Sequence, residues 1–336
     1  MNTTKKIGVL LLNLGGPQQL EDVKPFLFNL FSDRQIIRLG PAFLQKTIAR
    51  IIAHRRAPKS MENYRRIGGG SPILEKTREQ AQALEAILQQ DGDFVVRPCM
   101  RYWHPFAHEA LAEMTAVGVE ELIALPLYPQ YSRATTGSSL QDLYQAQTRY
   151  GPDVPIREIW SWPAEPDYIA CLAARIREGL SCFGDQPSQL LYSAHSLPVR
   201  FIEEGDPYVT DLKKTIRDLE EQTGISGELC YQSRSGPVEW LGPSTPELLT
   251  RLAAAGTTNV LVMPLSFVSD HVETLFEIDI QYRKMATDLG IRLECTKGLN
   301  DDPLFIGALR NLVRTSTQSM DQYSIHEQTG RCIEEL

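Results

Sequence analysis

Short, almost uninterrupted runs of apolar, β-favouring residues alternate along this chain with segments whose apolar residues recur at helical spacing, and that alternation leaves few folds open. Residues 7–14, 94–96, 121–127, 156–159, 190–194, 260–264 and 292–295 read as strands, several apolar on both faces as buried parallel strands must be. Helical patterns lie between them, as in 71–90, where Ser71 can cap and Pro72 suits the first turn. The class is α/β, assembled from βαβ units with right-handed crossovers.

The chain also echoes itself. Leu125-Pro126-Leu127 followed by YPQYSRATTGSS is matched by Met263-Pro264-Leu265 followed by SFVSDHVE: an apolar strand, Pro-Leu, then a polar loop entering a helix. The echo predicts two similar Rossmann-like lobes, each a parallel sheet flanked by helices, with a ligand cleft between them. We expect an N-terminal lobe over 1–175 with an apolar lip near 25–60, a C-terminal lobe over 176–318, and a tail over 319–336 that packs back or frays. At 336 residues there is chain enough for two cores.

A net charge of −8 supplies no basic stripe for phosphates, so nucleic acid is not a partner. The apolar run 7–12 ends in Gly15-Gly16-Pro17 with no cleavage site and reads as a first buried strand rather than a signal peptide. No stretch approaches the ~18 apolar residues of a membrane span. The six cysteines form no C-x-x-C pair, which suits reduced thiols in the cytoplasm. Gly15-Gly16 lacks G-x-G-x-x-G, and Gly68-Gly69-Gly70-Ser71 lacks the Gly-Lys of a phosphate loop, so nucleotide binding is not expected. Nothing in the residues reports on an oligomer.

The polar residues with chemistry in them cluster after predicted strands. Following 260–264 come Ser266, Ser269, Asp270, His271 and Glu273, then Leu275, Ile278, Tyr282 and Met285 at helical spacing. Asp270 and Glu273 have the spacing of a capping box, a purely structural alternative. Against it, Glu273 and Glu277 share a helical face with Gln281, and like charges four apart destabilise a helix by about 0.2–0.5 kcal/mol. No cation is spaced to relieve them, so the face suits a cation or moving protons. The H-x-E at His271 lacks the P-C-x-x-C of zinc deaminases. His195, in YSAHSLP, ends a buried-looking strand where a side chain enters the crevice, and no G-x-S-x-G elbow makes its serine neighbours nucleophiles. Trp240 centres a Gly, Pro and Ser-rich loop, the composition of a ligand wall. The greasy segment 25–60, with Phe26, Phe28, Phe31 and Phe43 and closing cations, reads either as two core-packed helices or as a lip for a flat apolar ligand or a membrane surface.

LLNLGGP at 11–17, RRIGGGSPI at 65–73, MRYWHP at 100–105, YPQYSRATTGSS at 128–139, YSAHSLP at 192–198, YQSRSGPVEWLGP at 231–243 and SFVSDHVETLFEID at 266–279 together resemble the ferrochelatases. The resemblance runs from about residue 7 to 313, in order. It implies a two-lobed chelatase-like fold with a porphyrin cleft, and insertion of Fe2+ into protoporphyrin IX with release of two protons, making haem. By position, His195 matches the family's essential histidine and Glu273 the carboxylate facing it. Both become candidate ligands of the Fe2+ substrate, with Asp270, His271 and Glu277 in support. His195 is assigned to taking pyrrole protons; the reverse assignment, His195 on iron and Glu273 on protons, fits the same donor types. Leu14, Tyr64, Trp240 and Phe267 match walls that distort the macrocycle, Arg55, Arg56, Lys59, Ser71 and Ser233 match propionate contacts, and Arg101 with Tyr102 the inner-pocket pair. Arg133 and a solitary Cys332 replace the cysteines of cluster-bearing relatives, so no [2Fe–2S] cluster and no tightly bound cofactor are expected. Gln281 stands where relatives carry a third acid. Leu14, where coproporphyrin-using relatives have tyrosine, favours protoporphyrin. The remaining alternatives are a chelatase for another tetrapyrrole or for Co2+ or Ni2+, and a two-lobed tetrapyrrole-binding protein. The lip implies peripheral contact with the inner face of a membrane.

Overall fold

Apolar runs on both faces of a strand oblige it to lie inside a sheet covered on both sides, and the structure puts the four most apolar runs at the centres of two such sheets. In this computed structural model, which describes residues 5–234, 236 and 238–318, the first parallel sheet comprises β1 (Lys6–Asn13), β2 (Asp93–Met100), β3 (Glu121–Pro126) and β4 (Ile156–Glu158), in the order β2-β1-β3-β4. The second comprises β5 (Gln189–His195), β6 (Gly227–Gln232), β7 (Asn259–Pro264) and β8 (Arg292–Cys295), in the order β6-β5-β7-β8. Topology therefore repeats between the lobes. β3 and β7 are buried throughout, and β1 and β5 nearly so, whereas the edge strands keep partly exposed residues.

β6 was not among the predicted strands. It begins Gly-Glu, its first three residues are half-exposed, and only Cys230, Tyr231 and Gln232 are buried. An edge strand of that composition carries no apolar run to read. Its last two residues fall in the segment expected to be wholly loop.

The lip is two helices, α1 (Val23–Ser32) and α2 (Gln45–Arg66), followed by α3 (Ile73–Leu88). The reading of two packed helices holds for part of the greasy segment, and the rest of it stays exposed. Ala49, Ala53 and Ala57 form a buried row on α2 that lets α1 approach closely, burying Phe26 and Leu27, while Phe43 is 81% exposed and Ile51 49%. Among the described residues no helix is long and apolar enough to cross a membrane.

One apolar core runs through both lobes, from Val9 and Leu11 on β1 to Leu190 on β5 and Leu261 on β7. The helix Pro166–Ser181 contains residue 175, the expected boundary, and lies against β7. The last helix, Pro303–Gln318, packs on both Pro166–Ser181 and α3, so the final helix ties the lobes together. The expected tail, with Cys332, lies outside the described residues.

Gly179 shows how tightly this core closes. A Cβ there would lie 2.6 Å from Leu261 Cδ1 and 2.9 Å from its Cδ2. Alanine would gain about 0.5–1 kcal/mol of helix propensity, but overpacking costs about 1–3 kcal/mol. Gly179→Ala is expected to be destabilising by about 1 kcal/mol, read as a lower urea midpoint at unchanged slope; a raised midpoint would show that Leu261 yields freely.

Candidate active site

In an open sheet of order 2-1-3-4 the connections diverge between the two central strands, and the crevice at their carboxyl ends takes the ligand. Leu14 and Gly15 follow β1 at that point in the first lobe. His195 ends β5 and the loop 265–272 follows β7 at the same point in the second. A cleft of about 180 Å³ lies between Leu14 and Gly15 of the first lobe and His271, Val272 and Glu273 of the second, with His195 outside its lining. Leu14, Phe26, Leu27, Leu30, Ile73 and Val272 make it apolar, and Ser60, Asn63, Tyr64, Ser71, His271 and Glu273 give it polar points. The Gly15-Gly16 pair shapes its floor. Gly15 sits at φ +79, and a Cβ on Gly16 would lie 2.6 Å from that of Ser71.

The loop after β7 does not enter a regular α-helix. Residues Glu273–Tyr282 form a π-helix, and a second, Arg133–Gly137, occupies the matching place after β3. The helix Glu273–Tyr282 buries Thr274, Ile278 and Tyr282, so of the expected stripe of Leu275, Ile278, Tyr282 and Met285 only Ile278 and Tyr282 are buried. The capping-box alternative fails: the Glu273 carboxylate turns to His271, and Asp270 is held by Asn300 Nδ2 at 2.8 Å and Thr274 Oγ1 at 3.4 Å.

His271 is the cation that spacing along the helix did not reveal. Its Nδ1 lies 2.8 Å from the Ser269 carbonyl, which can only accept, and its Nε2 makes a very short contact with Glu273 Oε2. With an ionised carboxylate both ring nitrogens must carry protons, so His271 is imidazolium. Burial works to neutralise it, but the Glu273 carboxylate raises its pKa above the ordinary 6.5. For Glu273, burial pushes upward, and the charge and hydrogen bond of His271, with the charge of His195, overcome it and lower the pKa to about 2. Tyr64, buried in the cleft wall, has its phenol pKa raised by burial and then by the Glu273 charge, and stays protonated.

His195 is poised differently. Its Nδ1 donates to the Ser196 carbonyl at 2.6 Å, leaving Nε2 with a free lone pair 3.7 Å from Glu273 Oε1 in the neutral ring. Its backbone is fixed by Ser266 Oγ, which accepts its N–H at 3.0 Å, and by Tyr208, whose hydroxyl donates to its carbonyl at 3.0 Å. The site thus holds an imidazolium, a carboxylate and a second imidazole in a row. Phe267 stands between the two imidazoles, with ring centroids 4.6 Å from His271 and 6.5 Å from His195.

Other expected site residues fall into three groups. Leu14, Tyr64 and Ser71 line the cleft; Ser60 and Asn63, not singled out from the sequence, line it with them. Arg55 and Lys59 are exposed on α2 outside that lining, and Arg56 lies over the Phe31 ring at 5.3 Å. The third group is engaged elsewhere. Arg101 Nη2 and the Tyr102 hydroxyl both meet Asp33 Oδ2, at 2.9 and 2.7 Å, and Tyr102 is fully buried. Ser233, left-handed at φ +66, directs its N–H and hydroxyl to Glu277. Glu277 also accepts from Gln232 Nε2 at 3.3 Å and from the Tyr282 hydroxyl at 2.6 Å, so it pins the π-helix to the end of β6. Trp240 is half-buried beside Pro198, its indole N–H without a partner among the described residues. Arg133 pairs with Glu204 and lies 4.2 Å over the Phe201 ring. Among the described residues, no group of three or more His, Cys, Asp or Glu side chains is arranged to hold a resident metal ion.

Known proteins share the fold and the sequence. Solved chelatase structures share the fold: SirB from Bacillus subtilis with Fe3+ superposes with a TM-score of 0.55 at 13% identity, covering 94% of this chain and 96% of that one. Ferrochelatase of Desulfotalea psychrophila is 55% identical over 94% of this chain and 98% of its own length. That of Geotalea uraniireducens is 50% identical over 94% and 99%. The family model for ferrochelatase matches residues 6–317, and with relatives this close over nearly its whole length the chain belongs to the ferrochelatase family.

Proposed function

We propose that the chain inserts Fe2+ into protoporphyrin IX, with His195 Nε2 as the base that takes pyrrole protons and Glu273 as the carboxylate that faces the incoming cation. Family membership makes the protein a metal chelatase acting with Fe2+ on a porphyrin in haem synthesis. The single observation that supports the division of roles is the pairing of Glu273 with the His271 imidazolium. A carboxylate with a pKa of about 2 is a poor base at neutral pH, whereas donation of the His195 Nδ1 proton to the Ser196 carbonyl leaves its Nε2 lone pair free to accept one. Fe2+ displaces two N–H protons from the macrocycle. His195 accepts one, becoming an imidazolium that Glu273 stabilises across 3.7 Å. Once it has passed that proton to solvent it can accept the second.

Apolar lining by Leu14, Phe26, Leu27 and Leu30 supports protoporphyrin over coproporphyrin. Protoporphyrin carries two vinyl groups and two propionates, whereas coproporphyrin carries four propionates that this wall leaves unpaired. Arg55 and Lys59 on the exposed face of α2 are placed for propionates that reach the rim. Phe43, Leu44 and Ile51, beside Lys46 and Arg50, give the lip the apolar tip and basic shoulder of a segment that rests on an anionic bilayer, where a porphyrin partitions. The setting we propose is cytoplasmic, against the inner face of the membrane.

Anaerobic Fe2+ insertion followed by absorbance tests the reading: turnover with protoporphyrin IX should exceed that with coproporphyrin about tenfold or more, and His195→Ala should lose at least about 100-fold in kcat with porphyrin KM little changed. Equal activity in His195→Ala would move the base elsewhere. In Glu273→Gln, His271 should titrate at a lower pH than in the native protein, because burial is then opposed only by the Ser269 carbonyl and the Asp270 charge, and the His271 Cε1 proton shift reads this directly. The sign for stability follows. The Glu273 contribution is present above its ordinary 4.5 and is lost as pH falls towards about 2, and that of His271 is present below 6.5 and is lost as pH rises through its raised value. Thermal midpoints of the native protein should therefore fall on both sides of that window by more than those of Glu273→Gln. Cosedimentation with anionic vesicles should retain the native protein and release Phe43→Ser/Ile51→Ser about tenfold or more, since each buried side chain contributes about 1.5–3 kcal/mol; a native protein that stays in solution would remove the membrane from the account.

A further inference from the structure

A fully buried amide on α3, in the first lobe, reaches across the lobe boundary to the loop that carries His271. Gln80 Nε2 donates to Ser269 Oγ at 3.0 Å and to the Asn300 carbonyl at 2.8 Å. Neither contact is local, since Gln80 and Ser269 are 189 residues apart in sequence. Each acceptor governs part of the acid–base row. The Ser269 carbonyl takes the Nδ1 proton of His271. Asn300 clamps Asp270 from both sides: its Oδ1 accepts the Asp270 N–H at 3.0 Å and its Nδ2 donates to Asp270 Oδ2 at 2.8 Å. Asn300 does this from a left-handed backbone at φ +44, which asparagine tolerates better than most residues and which something must hold in place. Gly298 leaves the room, because a Cβ there would lie 2.8 Å from Asp270 Oδ1.

The same helix registers the opposite wall. One turn before Gln80, Thr77 Oγ1 accepts from Asn13 Nδ2 at 3.1 Å, and Asn13 Oδ1 accepts the Leu14 N–H at 2.8 Å. α3 therefore fixes the start of the Leu14 wall with one side chain and the His271 loop with another three residues on. Both are buried, so water does not compete for either bond.

We propose that Gln80 is a positioning residue for iron insertion, latching the Ser269–Asp270–His271 loop to α3 so that the acid–base row of the second lobe is held in register with the porphyrin wall of the first. It touches neither substrate and acts through Ser269 and Asn300. The effect on turnover rests on the iron-insertion reading above; the latch itself does not.

The test uses the full chain with Gln80→Met, which keeps the length of the side chain and removes its donors. Folding is checked by circular dichroism and thermal midpoint, porphyrin affinity by fluorescence quenching, and turnover by anaerobic Fe2+ insertion. A loop released by even part of an ångström should lower kcat about tenfold or more while porphyrin KM and affinity stay within about twofold. Amide exchange by mass spectrometry should rise about tenfold in 266–274 and stay unchanged across the central strands. Unchanged kcat in a folded Gln80→Met protein would overturn the proposal. So would a loss of kcat accompanied by raised KM and faster exchange throughout, the mark of general loosening. Should Gln80→Met fail to fold, Ser269→Ala decides: it deletes one acceptor only, and a fall in kcat at constant KM supports the latch, whereas wild-type kcat overturns it. If the native protein does not insert iron, exchange in 266–274 still separates the two ideas: a local rise in either variant supports the latch, and none overturns it.

Discussion

A charged pair at the bottom of an apolar cleft, His271 with Glu273, sets the terms for everything around it. Moving either charge out of water costs several kcal/mol, and breaking such a pair by removing one partner costs about 3–5 kcal/mol because the other charge is then stranded. The surrounding structure is arranged so that neither group is stranded. The Ser269 carbonyl takes the second imidazolium proton, and His195 adds a neighbour on the other oxygen of the carboxylate. One buried carboxylate thus faces two imidazoles, one through each of its oxygens.

The repeated sheet order supplies the frame. Two lobes of the same topology, facing each other across their switch points, bring the segment after β1 of one opposite those after β5 and β7 of the other. Because the core is continuous and the last helix packs on α3, the walls cannot slide independently. A planar macrocycle gripped between walls of fixed spacing can be bent, and bending exposes the nitrogen lone pairs that a flat ring hides. Rigidity of the shared core is thus a chemical property here as much as a stabilising one.

Much of this was legible in the sequence, and the divide follows the range of the interactions. Seven of the eight described strands announce themselves by composition, the central four because a strand buried on both faces has no polar side; β6, half-exposed at its start, does not. His195 and Glu273 could be found because each follows an apolar strand. What could not be read were partners set by tertiary folding: the Gln80 amide, the left-handed Asn300, and the four donors on Glu277 that turn an expected relay carboxylate into an anchor. The π-helix could not be read either, since its buried face begins with Thr274, which no apolar pattern registers. The bonds of Arg101 and Tyr102 to Asp33, sixty-eight residues earlier than Arg101, belong to the same class of partner.

That network shows how two copies of one topology come to do different work. Near the cleft end of the first lobe, the carboxylate of Asp33 is matched by Arg101, with the Tyr102 and Ser138 hydroxyls completing its shell. A guanidinium does not give up its proton in a protein, so that cluster can hold charge but not move it. In the second lobe the carboxylate of Glu273 is matched by the His271 imidazolium and faced by His195 across 3.7 Å, rings that can both gain and lose a proton. The two lobes therefore repeat one topology and differ in the cation that meets a carboxylate near its carboxyl edge: a guanidinium of fixed charge in the first, imidazoles in the second.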